Sequence, residues 1–291
     1  MTAYRTIQVD GTEIFYREGG EAAVRTLLLL HGFPSSSAQY QRLMERLEDR
    51  YHVIAPDYPG FGQSPPLEGT TTFDRIAEVI DGFTDAKELE RFSLYMFDFG
   101  SPVGFRLASH RPERVEGLVL QNGNAYEAGL GPGMQALKPY WQDRSANEDA
   151  VRAFLRLDAT RSQYLDGVAD PTTVNPDLWE LDQRYLDLPG RDRVMLDLLY
   201  DYQSNIRLYP RWHDYLRAKQ PPALLPWGQN DRFFPPEGAR AYLEDLPDAE
   251  LHLLDTGHFA TATHAEQIAE LVAAFLDKHI VPDDSRMSAR V

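Results

Sequence analysis

Strand-like and helix-like segments take turns along this chain, and that alternation leaves few folds open to it. Residues 6–9 and 14–16 alternate apolar and polar around Asp10-Gly11 and read as a hairpin. Residues 26–30 form a nearly continuous apolar run, as expected of a strand buried on both faces. A helix fits 37–47, and 51–55 is a second buried strand. Residues 73–89 carry Ile76, Val79, Ile80 and Phe83 at helical spacing. A strand at 92–97, a helix at 101–110 and a strand at 115–121 follow. Parallel neighbours need a crossover between them, so this succession predicts a parallel sheet with helices on both faces. From about Ala125 to Tyr215 only helical patterns and loops occur, and strands resume at 223–227 and 250–254 before a helix at 265–278. The expected class is therefore α/β, a mostly parallel, doubly wound sheet with an inserted helical cap. Residues 1–124 and 216–291 would form the discontinuous core, and 125–215 the cap.

Composition narrows the partners. A net charge of −16 repels phosphate backbones and anionic lipid, so neither nucleic acid nor a membrane surface is expected as a partner. The chain has no cysteine, which removes disulfides, thiol catalysis and thiolate metal sites. No motif calls for a metal or a cofactor. The start, MTAYRTIQVDG, lacks a basic stretch followed by an apolar one, so no signal peptide is expected. The longest aliphatic run, 27–30, is far too short to span a bilayer, and a cytoplasmic location is the expectation. Self-association into a homo-oligomer is compatible with this composition. The polar tail, 282–291, is expected to fray.

Four loops fall at predicted strand ends, where open α/β sheets bind ligands. His31-Gly32-Phe33-Pro34 follows the strand ending at Leu30, and its glycine allows a tight turn that presents an N–H to an oxyanion. A plain turn is the alternative. Phe97-Asp98-Phe99-Gly100-Ser101 joins a strand to a helix with small residues after Asp98, as a nucleophile elbow requires. Asp98 could instead cap the helix, or Ser101 could be the nucleophile of a displaced elbow, although it already lies in the first helical turn. Gly228-Gln229-Asn230-Asp231 offers a carboxylate to orient an imidazole, or simply a turn former. Gly257-His258-Phe259 supplies the candidate base. His31 reads as structural, and the other six histidines lack such a context.

Asp98, Asp231 and His258 follow the chain order nucleophile, acid, base of α/β-hydrolases. Asp57-Tyr58-Pro59-Gly60-Phe61-Gly62-Gln63-Ser64 is similar to that superfamily's D-x-x-G-x-G-x-S loop. The sequence resembles the α/β-hydrolase superfamily over nearly its whole length. An aspartate at the elbow resembles the epoxide hydrolase and haloalkane dehalogenase branch. The resemblance implies a helical cap over a small-molecule site and an oxyanion hole from the backbone N–H groups of Phe33 and Phe99.

An aspartate changes the chemistry. A carboxylate is already ionised at neutral pH and can displace a leaving group at saturated carbon, leaving an alkyl-enzyme ester. His258 would then activate water to attack that ester, and Asp231 would orient the imidazole. Glu127 is the next candidate for the acid. The resemblance further implies that an epoxide oxygen takes its proton from cap tyrosines. Eight of the fifteen tyrosines lie in 125–215, and Tyr202, in Asp201-Tyr202-Gln203-Ser204-Asn205, and Tyr140, before Trp141-Gln142, sit in regions similar to those of the proton donors. Phe33, Phe99 and Trp141 are expected against the substrate. Haloalkane dehalogenases typically carry tryptophan after the nucleophile, where this chain has Phe99, and fluoroacetate dehalogenases carry arginine there. Epoxide hydrolases also commonly have tryptophan there, but His-Gly-Phe-Pro resembles their oxyanion loop more than that of the dehalogenases. The expected activity is that of an epoxide hydrolase on a small, apolar substrate. A dehalogenase, an esterase using Ser101 and a non-catalytic binding protein are the rival readings.

Overall fold

The computed structural model describes residues 1–21 and 25–280, and the tail expected to fray lies outside the described residues. Eight strands form one sheet: β1 (Ala3–Val9), β2 (Thr12–Gly19), β3 (Thr26–Leu30), β4 (His52–Pro56), β5 (Phe92–Phe97), β6 (Val115–Gln121), β7 (Ala223–Gly228) and β8 (Glu250–Leu254). Their order is β1-β2-β4-β3-β5-β6-β7-β8. The first hairpin pairs antiparallel, with Val9 opposite Thr12, and β2 also meets β4 antiparallel. All later pairings are parallel. The mostly parallel, doubly wound sheet read from the alternation is thus the observed one.

Helices cover both faces because the central strands are apolar on both. Core helices α1 (Gln41–Leu47), α2 (Phe73–Ala86) and α3 (Gly100–His110) precede the insertion. The inserted region carries α4 (Pro132–Gln135), α5 (Lys138–Gln142), α6 (Arg144–Val151), α7 (Leu157–Leu165), α8 (Asp177–Leu186) and α9 (Arg191–Lys219). Then come α10 (Pro236–Asp245) and α11 (Ala260–His279). In β3, Leu28 and Leu30 face Ile76, Ile80 and Val103 of α2 and α3, while Leu27 and Leu29 face Leu43 and Val272 of α1 and α11. That is the period-two alternation of a strand expressed as two cores. Among the described residues no helix is long and apolar enough to cross a membrane.

Element ends depart from the sequence reading where local caps intervene. Residues 37–40 form a 3-10 turn, capped by the Ser36 hydroxyl accepting from the Ala38 N–H, before α1 begins. Helix α2 stops at Ala86, and Glu88 adopts a φ of 54°. Helix α11 starts at Ala260, five residues before the pattern suggests, and breaks at His264 (φ −121°). Helix α9 runs on to Lys219.

The sheet positions the loops by close approach. The first residue of α3, Gly100, abuts the end of β3 so tightly that an added Cβ would lie 2.1 Å from the Leu30 carbonyl oxygen. Backbone cannot yield there as a side chain can. Gly100→Ala is therefore expected to destabilise the protein by about 1–3 kcal/mol, as overpacking typically does. Urea unfolding at neutral pH measures this, and an unchanged midpoint would mean that the elbow can shift.

Candidate active site

Strand ends carry the three expected residues to one point. Asp98 follows β5 with a φ of 50°, the left-handed region where a non-glycine residue is strained. It does not cap α3, which has no side-chain cap. Instead its Oδ1 accepts the Phe33 N–H at 2.6 Å, and the Phe99 N–H also bonds the carboxylate. Gly32 makes that approach possible, since a Cβ there would lie 2.4 Å from Asp98 Cβ. Asp98 Oδ2 stands 3.8 Å from His258 Nε2, too far for a hydrogen bond. His258 Nδ1 is 2.7 Å from Asp231 Oδ2. Asp231 in turn accepts the Phe233 N–H at 2.7 Å and the Asn122 amide at 2.9 Å. With Nδ1 donating to Asp231, Nε2 keeps a free lone pair for a proton.

The remaining candidates separate. Asp98 and His258 share a cavity of about 20 Å³, walled by Phe33, Phe99, Leu137, Phe154, Leu199 and Phe233. That volume holds about one water. Ser101 is buried in α3 with no partner for its hydroxyl and packs against Gly123, outside the cavity lining. Glu127 is exposed. Tyr140 and Trp141, expected near the substrate, are not among the lining residues. The Tyr140 hydroxyl donates to the Leu196 carbonyl and the Trp141 indole N–H to the Leu199 carbonyl, so helix α9 occupies both donors. Tyr202 is buried one layer behind the wall, its ring centroid 6.1 Å from that of Phe99 and its hydroxyl 3.5 Å from that of Tyr209. A surface cleft of about 430 Å³ beside Arg106 and Trp212 is far larger but holds none of these residues. Among the described residues no three His, Asp or Glu side chains are grouped to hold a metal ion.

The sequence profile of the alpha/beta hydrolase fold matches residues 25–265. The chain belongs to the α/β-hydrolase fold family. It is similar to the uncharacterized hydrolase YNR064C of Saccharomyces cerevisiae, 42% identical over 93% of this chain and 96% of that one. It is also similar to a 2-hydroxy-6-oxononadienedioate/2-hydroxy-6-oxononatrienedioate hydrolase of Pseudomonas putida, 27% identical over 91% of each chain. Among solved structures, a putative ancestral haloalkane dehalogenase superposes with a TM-score of 0.79 at 23% identity, over 94% of this chain and 98% of that one. That likeness shows the fold. The chain is thus a member of a hydrolase family.

Three supporting residues of this α/β-hydrolase escaped the sequence reading. Asn122, at a φ of 45°, bonds Asp231 and also both donates to and accepts from the Gly228 backbone, locking the β6 and β7 loops together. Gln121 donates to the His258 carbonyl and accepts from the Tyr95 hydroxyl. A polar Gln121-Asn122-Gly123-Asn124 run straight after an apolar strand was the available signal. Gln163, in the cavity lining, left none. His31, as expected, is structural: burial pushes its imidazole down to about 3, and its neutral Nε2 accepts the Tyr58 N–H.

Burial also pushes the Asp98 carboxyl up to about 6, against the attraction of His258 and the two N–H groups. Burial opposes the charged form of His258 too, but Asp231 and then Asp98 outweigh it and hold the imidazole above its ordinary value. A raised carboxyl binds more protons folded than unfolded between about pH 4 and 6, so its contribution to stability falls as pH rises through that window. Asp98→Asn removes this penalty. The variant is expected to exceed the wild type in stability at pH 7 by about 1–3 kcal/mol, with the gap closing toward pH 4. Urea unfolding across that range measures it; a wild type more stable at pH 7 would show that His258 compensates the charge fully.

Proposed function

We propose that this protein is a cofactor-free hydrolase that attacks saturated carbon with Asp98, forms an alkyl-enzyme ester and acts on small, neutral, largely apolar epoxides. The observation that carries the reading is the carboxylate itself. One oxygen rests on the Phe33 N–H while the other stands free, 3.8 Å from a base already held by Asp231. In the first step Asp98 Oδ2 bonds to a ring carbon, and the breaking C–O bond leaves its electron pair on the epoxide oxygen, which takes a proton from Tyr202 once the cavity has widened past the Phe99 wall to reach it. His258 Nε2 then removes a proton from water that attacks Asp98 Cγ. The charge on Oδ1 falls on the Phe33 N–H, which is already aimed at that atom, with the Phe99 N–H also bonded to the carboxyl group. Collapse breaks the Cγ–Oδ2 bond, the expelled oxygen takes the proton held by His258 to complete the diol, and the remaining carboxyl proton returns through water to the Tyr202 phenolate.

The tyrosine pair supports the epoxide class. Asn124 donates its amide to the Tyr209 hydroxyl at 3.2 Å, and the Tyr209 and Tyr202 hydroxyls stand 3.5 Å apart, where either can be the donor. Burial holds the Tyr202 phenol well above its ordinary value, so it is protonated and available. A cavity of about 20 Å³ must widen to admit any substrate, and Met134 and Leu137 of the inserted region lie in its wall. Methionine is the side chain best able to yield.

Release of halide is the second reading. It is favoured by the cavity lining, which contains no phenol but does contain the Gln163 amide, a donor that suffices for an ion needing no proton.

His258→Gln blocks only the second half-reaction, so mass spectrometry of that variant with substrate is expected to show an adduct on the peptide carrying Asp98. An adduct on Ser101 would replace this reading with that of an esterase. Tyr202→Phe removes the acid while nearly preserving volume and is expected to slow diol formation from an accepted epoxide about tenfold or more. Rapid bromide release from a bromoalkane, with no diol from any epoxide, would reverse the order of the two readings.

A further inference from the structure

Gln163 is buried, only 4% exposed, and lines the same cavity as Asp98 and His258. Among the described residues its amide has no hydrogen-bond partner. Fully enclosed unpaired atoms occur elsewhere, as at Ser101, but the Gln163 amide is not one of them: it keeps some accessible surface and lines the cavity. The walls around it are otherwise aromatic and aliphatic, so the missing partner is something that enters the cavity.

Helix α7 is fastened so that this residue faces inward. Tyr164 stacks on Phe259 with ring centroids 3.9 Å apart, and its hydroxyl bonds the buried Asp182 of α8. Thr160 donates to Gln183 of α8. Arg232, next to Asp231, pairs with Asp166 and donates to Ser162. The helix is thus held from α8, from the start of α11 and from the Asp231 loop. Meanwhile Tyr140 and Trp141, the nearby donors that the sequence offers, are spent on carbonyls of α9. Besides the His258 ring, Gln163 is the side-chain N–H donor left in the cavity lining.

We infer that the Gln163 Nε2 donates a hydrogen bond to the departing atom of the substrate in the first half-reaction. This inference rests on the proposed attack by Asp98. As Asp98 Oδ2 bonds to carbon, the bond to the departing atom breaks and its electron pair goes to that atom. An epoxide oxygen then takes its proton from Tyr202, and a halide leaves as the ion. Gln163 keeps its own protons in both cases and stabilises the charge as it develops. The donor half of the amide is the one that a departing anion needs, and apart from the His258 ring the cavity lining offers no cation to pair a substrate carboxylate, which favours a ligand neutral apart from the charge that departure creates.

The test uses the full chain with His258→Gln, so that the ester accumulates, and follows adduct formation on Asp98 by mass spectrometry. The probes are 1,2-epoxybutane and 1-bromobutane, whichever alkylates Asp98 identifying the departing atom. Adding Gln163→Met, which keeps length but not the donor, is expected to slow alkylation about tenfold or more, the scale of a hydrogen bond to a charged group. Gln163→Glu preserves shape. Its rate relative to the parent is expected to climb as pH falls and the added carboxyl is protonated into a donor, a response that a packing role would not produce. Thermal melting of both variants checks folding. Alkylation within twofold of the parent in both variants, at every pH, overturns the role of Gln163 and leaves Asp98 as nucleophile. No adduct on Asp98 in the parent with either probe overturns the nucleophile, and the inference with it.

Discussion

The hydrogen bond from the Phe33 N–H to Asp98 Oδ1, 2.6 Å long, ties together everything this site does. It joins the loop after β3 to the elbow after β5, and both neighbouring glycines exist to permit it. A side chain at position 32 would strike Asp98, and one at position 100 would strike the end of β3. The same contact fixes which carboxylate oxygen is free. Because Oδ1 already sits where an oxyanion would form, the ester carbonyl would inherit that place without moving, and the donors need no reorganisation when charge develops.

Electrostatics follow from the same burial. Asp98, Asp231 and His258 are all withdrawn from water; the charges of Asp231 and Asp98 favour the charged form of His258, which burial opposes. Asp231 is saturated with donors from Phe233, Asn122 and His258, which suits it to the orienting role in the proposed mechanism. Asp98 has fewer partners and carries the strained backbone. A reactive carboxylate is one kept short of hydrogen bonds, and the two aspartates differ in just that respect. Their roles are set by surroundings and not by residue type.

The inserted helices close the site with an aromatic layer. Phe99 touches Phe73, Phe33 and Tyr202, and Tyr202 stacks flat on Trp141. This packing consumes the polar edges of Tyr140 and Trp141 and shrinks the cavity to the size of a water. What polarity remains over Asp98 comes from Gln163 on one side and, one layer back, from the Asn124–Tyr209–Tyr202 chain. On the proposed function, such a lid would favour apolar bulk with an accepting atom.

Sequence alone determined that the sheet is mostly parallel, the succession of strands and helices along the chain, and the residues at the strand ends. Buried parallel strands must be short and apolar, and their loops must start where the apolar run stops, so Asp98, Asp231 and His258 each announce themselves by position. Whether those three meet was legible only as an analogy of chain order until the strand order β3-β5-β6-β7-β8 brought their loops to one edge. The lid was opaque for a physical reason. In a helix every residue type can face any way that the helix is turned, and the turn is set by contacts distant in sequence, such as Tyr164 on Phe259 or Arg232 on Asp166. Tyr140 and Gln163 have similar claims as letters. Tertiary packing spends the hydroxyl of one on a carbonyl of α9 and leaves the other in the lining of the cavity that holds Asp98.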